Sequence, residues 1–206
     1  MLKFSTDLYK AAIPAVSDEA TRYYLCGVFV EPAAGGGVTL TATNGHVLVH
    51  IWDAGGQADE SAIVDLPKWI IDRDKFDKKK LLVDDAANGY HVNNGENRID
   101  GTFPDYRRVV PAIDTKKSAT ATYNAKYLSA LATVGAAIAK WNNRASKTFP
   151  ASLAMTVYSD DANGPAIIRW EGVDNAFAVL MPMRGPKPET LPRWFPVKED
   201  AAKDAA

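Results

Sequence analysis

The chain has very little cysteine: Cys26 is the single one in 206 residues, which excludes an internal disulfide and fits a reducing compartment. It has three histidines and no Cys/His cluster, so nothing has the ligand spacing of a structural metal. His46 and His50 are four apart, but on a strand that leaves them roughly 13 Å apart, too far to share an ion. Excess positive charge is also lacking. Lys+Arg 24 against Asp+Glu 25 makes a near-neutral protein, so any nucleic-acid surface must be a local patch. No apolar run reaches membrane length, and MLKFSTDLYK has no signal-peptide core, which places the expected location in the cytoplasm, away from membranes. Gly-X-Ser-X-Gly is absent, and no nucleophile lies beside a base. Asp84-Asp85 and Asp160-Asp161 stand at turn entrances; adjacent carboxylates on a strand would point to opposite faces and make no acid/base dyad. Catalytic residues, metals and cofactors are therefore expected to be none. Cys26, inside YYLCGVFV, reads as a core thiol.

What is present is a hydrophobic fraction of 47%, ample for a core, in a pattern that recurs. Residues 4–16 carry Leu8, Ala12 and Val16 at helical spacing, with Ser5 as N-cap, Asp7 in the first turn and Pro14 bending or ending the helix. YYLCGVFVE follows as a strand. PAAGGG lacks the Lys-Ser/Thr and helix of a phosphate loop and reads as a hairpin connection. VTLTAT, Asn44-Gly45 and HVLVHIW form strand, two-residue turn and strand. A second unit begins at AIVDL (62–66), with Pro67 opening the helix KWIIDRDKF, then strands LLVDD and YHVN. A third starts with a strand ATATY (119–123). Asn124 then caps a helix with the stripe Leu128, Leu131, Val134 and Ile138. SLAMTVYS, AIIRWEG and AFAVLMPMR (176–184) are its strands. The expectation is an α+β architecture: three repeated strand-helix-hairpin modules, side by side, with sheets outside and helices on one face. The boundaries are a two-module domain 1–114 (modules 1–58 and 59–114), a half domain 115–185, and a Pro-rich then charged tail 186–206.

The segment DGTFPDYRRVVP (100–111) joins a strand-like stretch to an extended one. Pro104 and Pro111 bar a helix, and Arg107 and Arg108 beside aromatics suit a structural brace. Basic residues segregate onto the helices: Lys68, Arg73, Lys75, Lys78, Lys79 and Lys80 on the second, Lys126, Lys140, Arg144 and Lys147 on the third. Two readings stay open, a solvated face or a stripe for phosphates. With no base-reading motif, DNA binding would be without sequence specificity.

Four stretches carry a resemblance. TRYYLCGVFVE (21–31), TATNGHVLV (41–49), DGTFPDYRRVVP (100–111) and LMPMR (180–184) occur in the order found in the bacterial sliding clamp, the beta subunit of DNA polymerase III. The chain resembles a shortened clamp, with its middle domain and half of its last. The resemblance implies the DNA-clamp fold and a non-enzymatic replication processivity factor. Such a protein tethers DNA polymerase to duplex DNA and binds partner peptides with Leu and Phe anchors. It implies a peptide pocket at Leu25, Thr43, Gly45, His46, Leu48, Pro104, Arg108, Val109, Val179, Met181, Pro182, Met183 and Arg184. DNA-facing residues would be Lys10, Lys68, Arg73, Lys75, Lys126, Lys140 and Arg144. A clamp loader is a further implied partner, and exposed sheet edges predict a homo-oligomer, a four-chain ring or a dimer. The compact form suits a phage or mobile element. The alternative is a clamp mimic that captures clamp-binding peptides without encircling DNA. Two departures stand out: Val47 replaces a common Arg, removing a polar rim contact, and Asn44 replaces the usual Asp. In the tail, ETLPRWF (189–195) loosely resembles a clamp-binding peptide; docking into the pocket and simple surface packing both remain open.

Overall fold

The structure is a computed structural model that describes residues 1–71, 90–93, 95–112, 119–143 and 153–184. β1 (Leu2–Ser5) runs directly into α1 (Thr6–Ala12). The Ser5 hydroxyl accepts from the Leu8 N–H at 3.4 Å, so the predicted cap is in place. The helix is shorter than its periodicity suggested: Pro14 lies in a 3-10 turn, Ile13–Ala15, that ends it. Tyr23, Tyr24 and Leu25, expected as strand, are the end of a second 3-10 segment, Ala20–Leu25, and Cys26 follows it. Its backbone bonds are local, Arg22 N–H to Glu19 O and Cys26 N–H to Tyr23 O, each 3.0 Å. The strand β2 begins only at Val28 and runs to Pro32. Tertiary context here overrides the β-propensity of two tyrosines.

β3 (Val38–Thr43) and β4 (Val47–Asp53) form the predicted hairpin, but its connection is Asn44–His46 rather than Asn44-Gly45 alone: His46, expected in the strand, belongs to the turn, and Gly45 is at φ +88°. β5 (Gln57–Ala58), β6 (Ala62–Val64) and α2 (Lys68–Ile71, after Pro67) follow, then β7 (Tyr90–Asn93) and β8 (Arg98–Ile99). The predicted strand LLVDD and the rest of the second helix lie outside the described residues. So do Asp84-Asp85, the polar loop before SLAMTVYS from Arg144 on, and the tail. ATATY makes single backbone bonds rather than a ladder: Ala119 N–H to Ser159 O at 2.9 Å, and Met183 N–H to Thr122 O at 2.7 Å. α3 (Ala125–Asn142) starts where Asn124 accepts from the Lys126 N–H at 2.9 Å. β9 (Met155–Tyr158), β10 (Ala166–Trp170) and β11 (Val173–Leu180) follow among the described residues; Asp161 organises the turn between β9 and β10 by accepting from the Asn163 N–H.

Among the described residues, eight strands form one antiparallel sheet in the order β8-β6-β2-β3-β4-β11-β10-β9. A smaller sheet, β5-β1-β7, flanks it. The join between β4 and β11 unites segments about 130 residues apart in sequence, with Leu48 opposite Val179 and Val47 opposite Leu180. Alternation divides the large sheet into two faces. Val28, Val30, Val38, Leu40, Ala42, Val47, Val49, Ile51, Ala178 and Leu180 belong to the main core, with Leu8, Leu131, Val134 and Ile138 from the helices. α1 lies beside α3 on this face. Each such large side chain contributes about 1.5–3 kcal/mol on burial. Gly135 of α3 is the point of closest approach: a Cβ there would overlap the Trp170 ring.

Candidate functional site

The opposite face of the sheet presents Phe29, Glu31, Thr39, Thr41, Thr43, Leu48, His50, Phe177 and Val179, every second residue of β2, β3, β4 and β11. Read from the strands alone, that is a solvated face. The segment after β8 instead straps it. Phe103 stacks on Phe29, ring centroids 4.9 Å apart and nearly parallel. Tyr106, in the 3-10 turn Tyr106–Val109, lies on the His50 ring at 5.3 Å and donates its hydroxyl to Glu31 at 2.6 Å. Arg107 bonds the same carboxylate at 2.8 Å and lies over the Tyr106 ring. Leu25, Leu48, Ile63, Phe103, Tyr106 and Val179 form a second buried apolar cluster, separate from the main core.

The electrostatics follow from this cover. Burial raises the Glu31 carboxyl, but hydrogen bonds from Tyr106, Arg107 and Thr39 outweigh it, and the group ends below its usual range. Burial, then the bond to Glu31, pushes the Tyr106 phenol up to about 12. Burial lowers His50 to about 4, so it is a neutral ring at physiological pH, with Nδ1 2.9 Å from the Thr41 hydroxyl. The His50 ring also meets Phe177, whereas His46 stacks on Tyr127 of α3; the two histidines occupy different environments.

Of the thirteen implied pocket residues, the structure brings Leu25, Leu48 and Val179 into one buried cluster, and Thr43, Leu48 and Val179 onto neighbouring strands at the β4–β11 seam. Leu25, Leu48 and Val179 are its buried floor. Thr43 and Pro182 are half-buried. Gly45, His46, Pro104, Arg108, Val109, Met181, Met183 and Arg184 are exposed. Met181 continues the seam past β11, its N–H bonded to the His46 carbonyl at 2.9 Å. Val109, Met181 and Met183 are 45%, 39% and 52% exposed, and they make up three of the eight exposed large hydrophobic side chains among the described residues. Arg108 and Arg184 have no side-chain bond or ion pair among the described residues. Exposed Val, Met and Arg side chains are residue types that suit a short peptide with apolar anchors and an acidic flank.

Two departures take on a physical meaning. The Asn44 side chain accepts from the His46 and Val47 N–H groups at 3.0 and 3.1 Å, a turn-forming role that an Asp carboxylate would fill equally. Val47, which stands where the resemblance leads one to expect Arg, is 2% exposed and packed in the main core, on the other face of β4 from Leu48, so it offers no polar contact there. The sequence reading placed Tyr106 in the brace but missed Glu31, Phe29 and His50 beneath it. The signal was the Phe103–Tyr106–Arg107 spacing, which needs an aromatic and a carboxylate beneath it.

Of the implied DNA-facing residues, Lys10, Lys68 and Lys140 line one cleft of about 920 Å³ between α1, α2 and α3. Asp7 and Asp65 line it too, and burial raises the Asp65 carboxyl. Lys126 is exposed in the first turn of α3, roughly 20 Å along the helix from Lys140. Arg73, Lys75 and Arg144 lie outside the described residues.

No protein-family model matches the chain. Its sequence is 33% identical over 119 residues to the beta sliding clamp of Caulobacter vibrioides strain NA1000, covering 50% of this chain and 31% of that protein. Among solved structures, the DNA polymerase III beta subunit of Thermotoga maritima matches with a TM-score of 0.58 at 13% identity, covering 89% of this chain and 65% of that one. The sliding clamp of Pseudomonas aeruginosa gives 0.57 at 18% identity, over 88% and 65%. The clamp of Bartonella birtlesii, solved bound to griselimycin, gives 0.55 at 18% identity, over 89% and 65%. The chain spans about a third of the curated relative's length, and it has the fold of the bacterial sliding clamp and resembles that family in sequence.

Proposed function

We propose that this chain is a sliding-clamp-like replication processivity factor whose outer-face site holds peptides of partner proteins, DNA polymerase among them. One observation carries this reading. Leu25, Leu48 and Val179, from three distant stretches, share one apolar floor, with exposed Val109, Met181 and Met183 beside it. A few anchors on such a floor carry most of the affinity of a short peptide. No chemistry is asked of the site, in keeping with a tether rather than an enzyme. The helix face would meet duplex DNA through Lys10, Lys68, Lys126 and Lys140, without base readout. A closed ring of several copies, and a loader to open it, belong to this reading.

The second reading is a mimic that captures the same peptides without encircling DNA. The helix cleft favours it, since Asp7 and Asp65 sit among the three lysines and dilute their field. Retention on DNA separates the two. A processivity factor stays on nicked circular DNA and slides off the linear form. A mimic is retained on neither, yet still binds a Leu/Phe-anchored peptide. Griselimycin, held by the Bartonella birtlesii clamp, is a direct probe: competition with that peptide supports the site in either reading. Loss of both DNA retention and peptide binding contradicts both.

A further inference from the structure

We propose that Met181 and Met183 form an oxidation site that closes the peptide site: a peroxide converts their thioethers to sulfoxides, and a sulfoxide reductase reopens it. The inference rests on the peptide-site reading and deepens it by naming a regulation. Met181 is placed by the strand ladder. Leu180 pairs with Val47, and the Met181 N–H continues that ladder to the His46 carbonyl at 2.9 Å. Alternation then puts Met181 on the face of Val179, whose partner Leu48 lies in the same buried cluster. Two residues on, the Met183 N–H donates to the Thr122 carbonyl at 2.7 Å. Both backbones are thus pinned, while the side chains stay 39% and 52% exposed. The chain has four methionines in all. Met155 is half-buried against the main core, and exposed Met1 precedes β1 of the smaller sheet.

The chemistry needs only an exposed sulfur and a peroxide. The thioether sulfur attacks one oxygen of hydrogen peroxide. An S–O bond forms, the O–O bond breaks, and the second oxygen leaves as water with both protons. Sulfur gives up two electrons and the peroxide takes them. The reductase reverses the change: the sulfoxide oxygen leaves as water while two thiols become a disulfide. A thioether is apolar and adaptable, whereas a sulfoxide is polar and chiral. An apolar anchor laid against it buries a strong acceptor, and the side chains of the floor, Leu25, Leu48 and Val179, have no donor to offer. Leaving such an acceptor unpaired weakens an apolar-anchored peptide by about tenfold or more.

The test uses the full-length chain, hydrogen peroxide and a fluorescein-labelled Leu/Phe-anchored peptide. Trypsin, cutting after Lys147, Arg169 and Arg184, leaves both methionines in residues 170–184 and Met155 in the neighbouring fragment 148–169, which serves as the internal control. Residues 170–184 should gain oxygen before 148–169 does. Peptide affinity should fall about tenfold in step with that gain, with the chain still folded, and return on treatment with sulfoxide reductase. The variant Met181→Leu/Met183→Leu, which keeps Cys26 and Met155, should hold its affinity through the same peroxide dose. Met181→Gln/Met183→Gln, polar from the start, should bind as weakly as the oxidised parent. Oxidation of Met155 at an equal rate, full affinity with 170–184 oxidised, or an equal loss in the Leu variant overturns the proposal and leaves the peptide site standing. An untreated parent that does not bind the peptide overturns both.

Discussion

The two faces of the large sheet are built on different terms. The inner face is aliphatic and sealed by α1 and α3, and its energy comes from area removed from water. The outer face is held by few, directional contacts: a stacked Phe pair, a tyrosine on a neutral histidine, and one carboxylate shared by Tyr106 and Arg107. The inner face therefore sets global stability. The outer face sets the position of one segment, and with it the shape of the site. Neighbouring arginines show the division most clearly. Arg107 is bound to Glu31 and braces the strap, while Arg108 is exposed and has no such bond among the described residues.

Substitutions break this comparison in a graded way. Leu40→Ala removes a fully buried inner side chain, and chemical denaturation should show a loss of about 3 kcal/mol. Acid should weaken the outer face next. His50 titrates near 4 when folded, against about 6.5 unfolded, so the unfolded chain binds a proton that the folded chain refuses. Stability is then flat above pH 6.5 and falls by on the order of 2–3 kcal/mol as the pH drops towards 4. Glu31, also lowered on folding, acts in the same direction. His50→Gln should flatten most of that slope. Tyr106→Phe deletes one hydrogen bond to Glu31 and should cost about 1–2 kcal/mol, with the strap's amides exchanging faster. The smallest stability effects belong to the arginines. Arg107→Ala should cost under about 1 kcal/mol, since its side chain is 63% exposed. Arg108→Ala should leave the denaturation midpoint unchanged yet weaken an acidic-flanked peptide by about tenfold.

Parts of this were legible in the chain. Asn44-Gly45 between alternating runs marked the hairpin, although positive φ falls on Gly45 and not on Asn44, and the turn also takes in His46. Asn124 and the stripe through Ile138 specified α3. Tyr23 and Tyr24 misled, since strand-forming residues sit in a 3-10 turn when no strand is free to pair with them. The β4–β11 join has no local signature; only the family resemblance brought LMPMR near TATNGHVLV. The outer-face cluster was hidden for another reason. Thr39, Thr41 and His50 alternate as solvent-facing residues do, and only the strap, arriving from about 70 residues downstream of β2, turns that face into an interior.

The most direct measurement is amide hydrogen exchange with and without a saturating Leu/Phe-anchored peptide. The account predicts protection in 45–48, 104–110 and 179–184, with α1 and α3 unchanged. Protection confined to α1 and α3, around the cleft with Lys10 and Lys140, would contradict it.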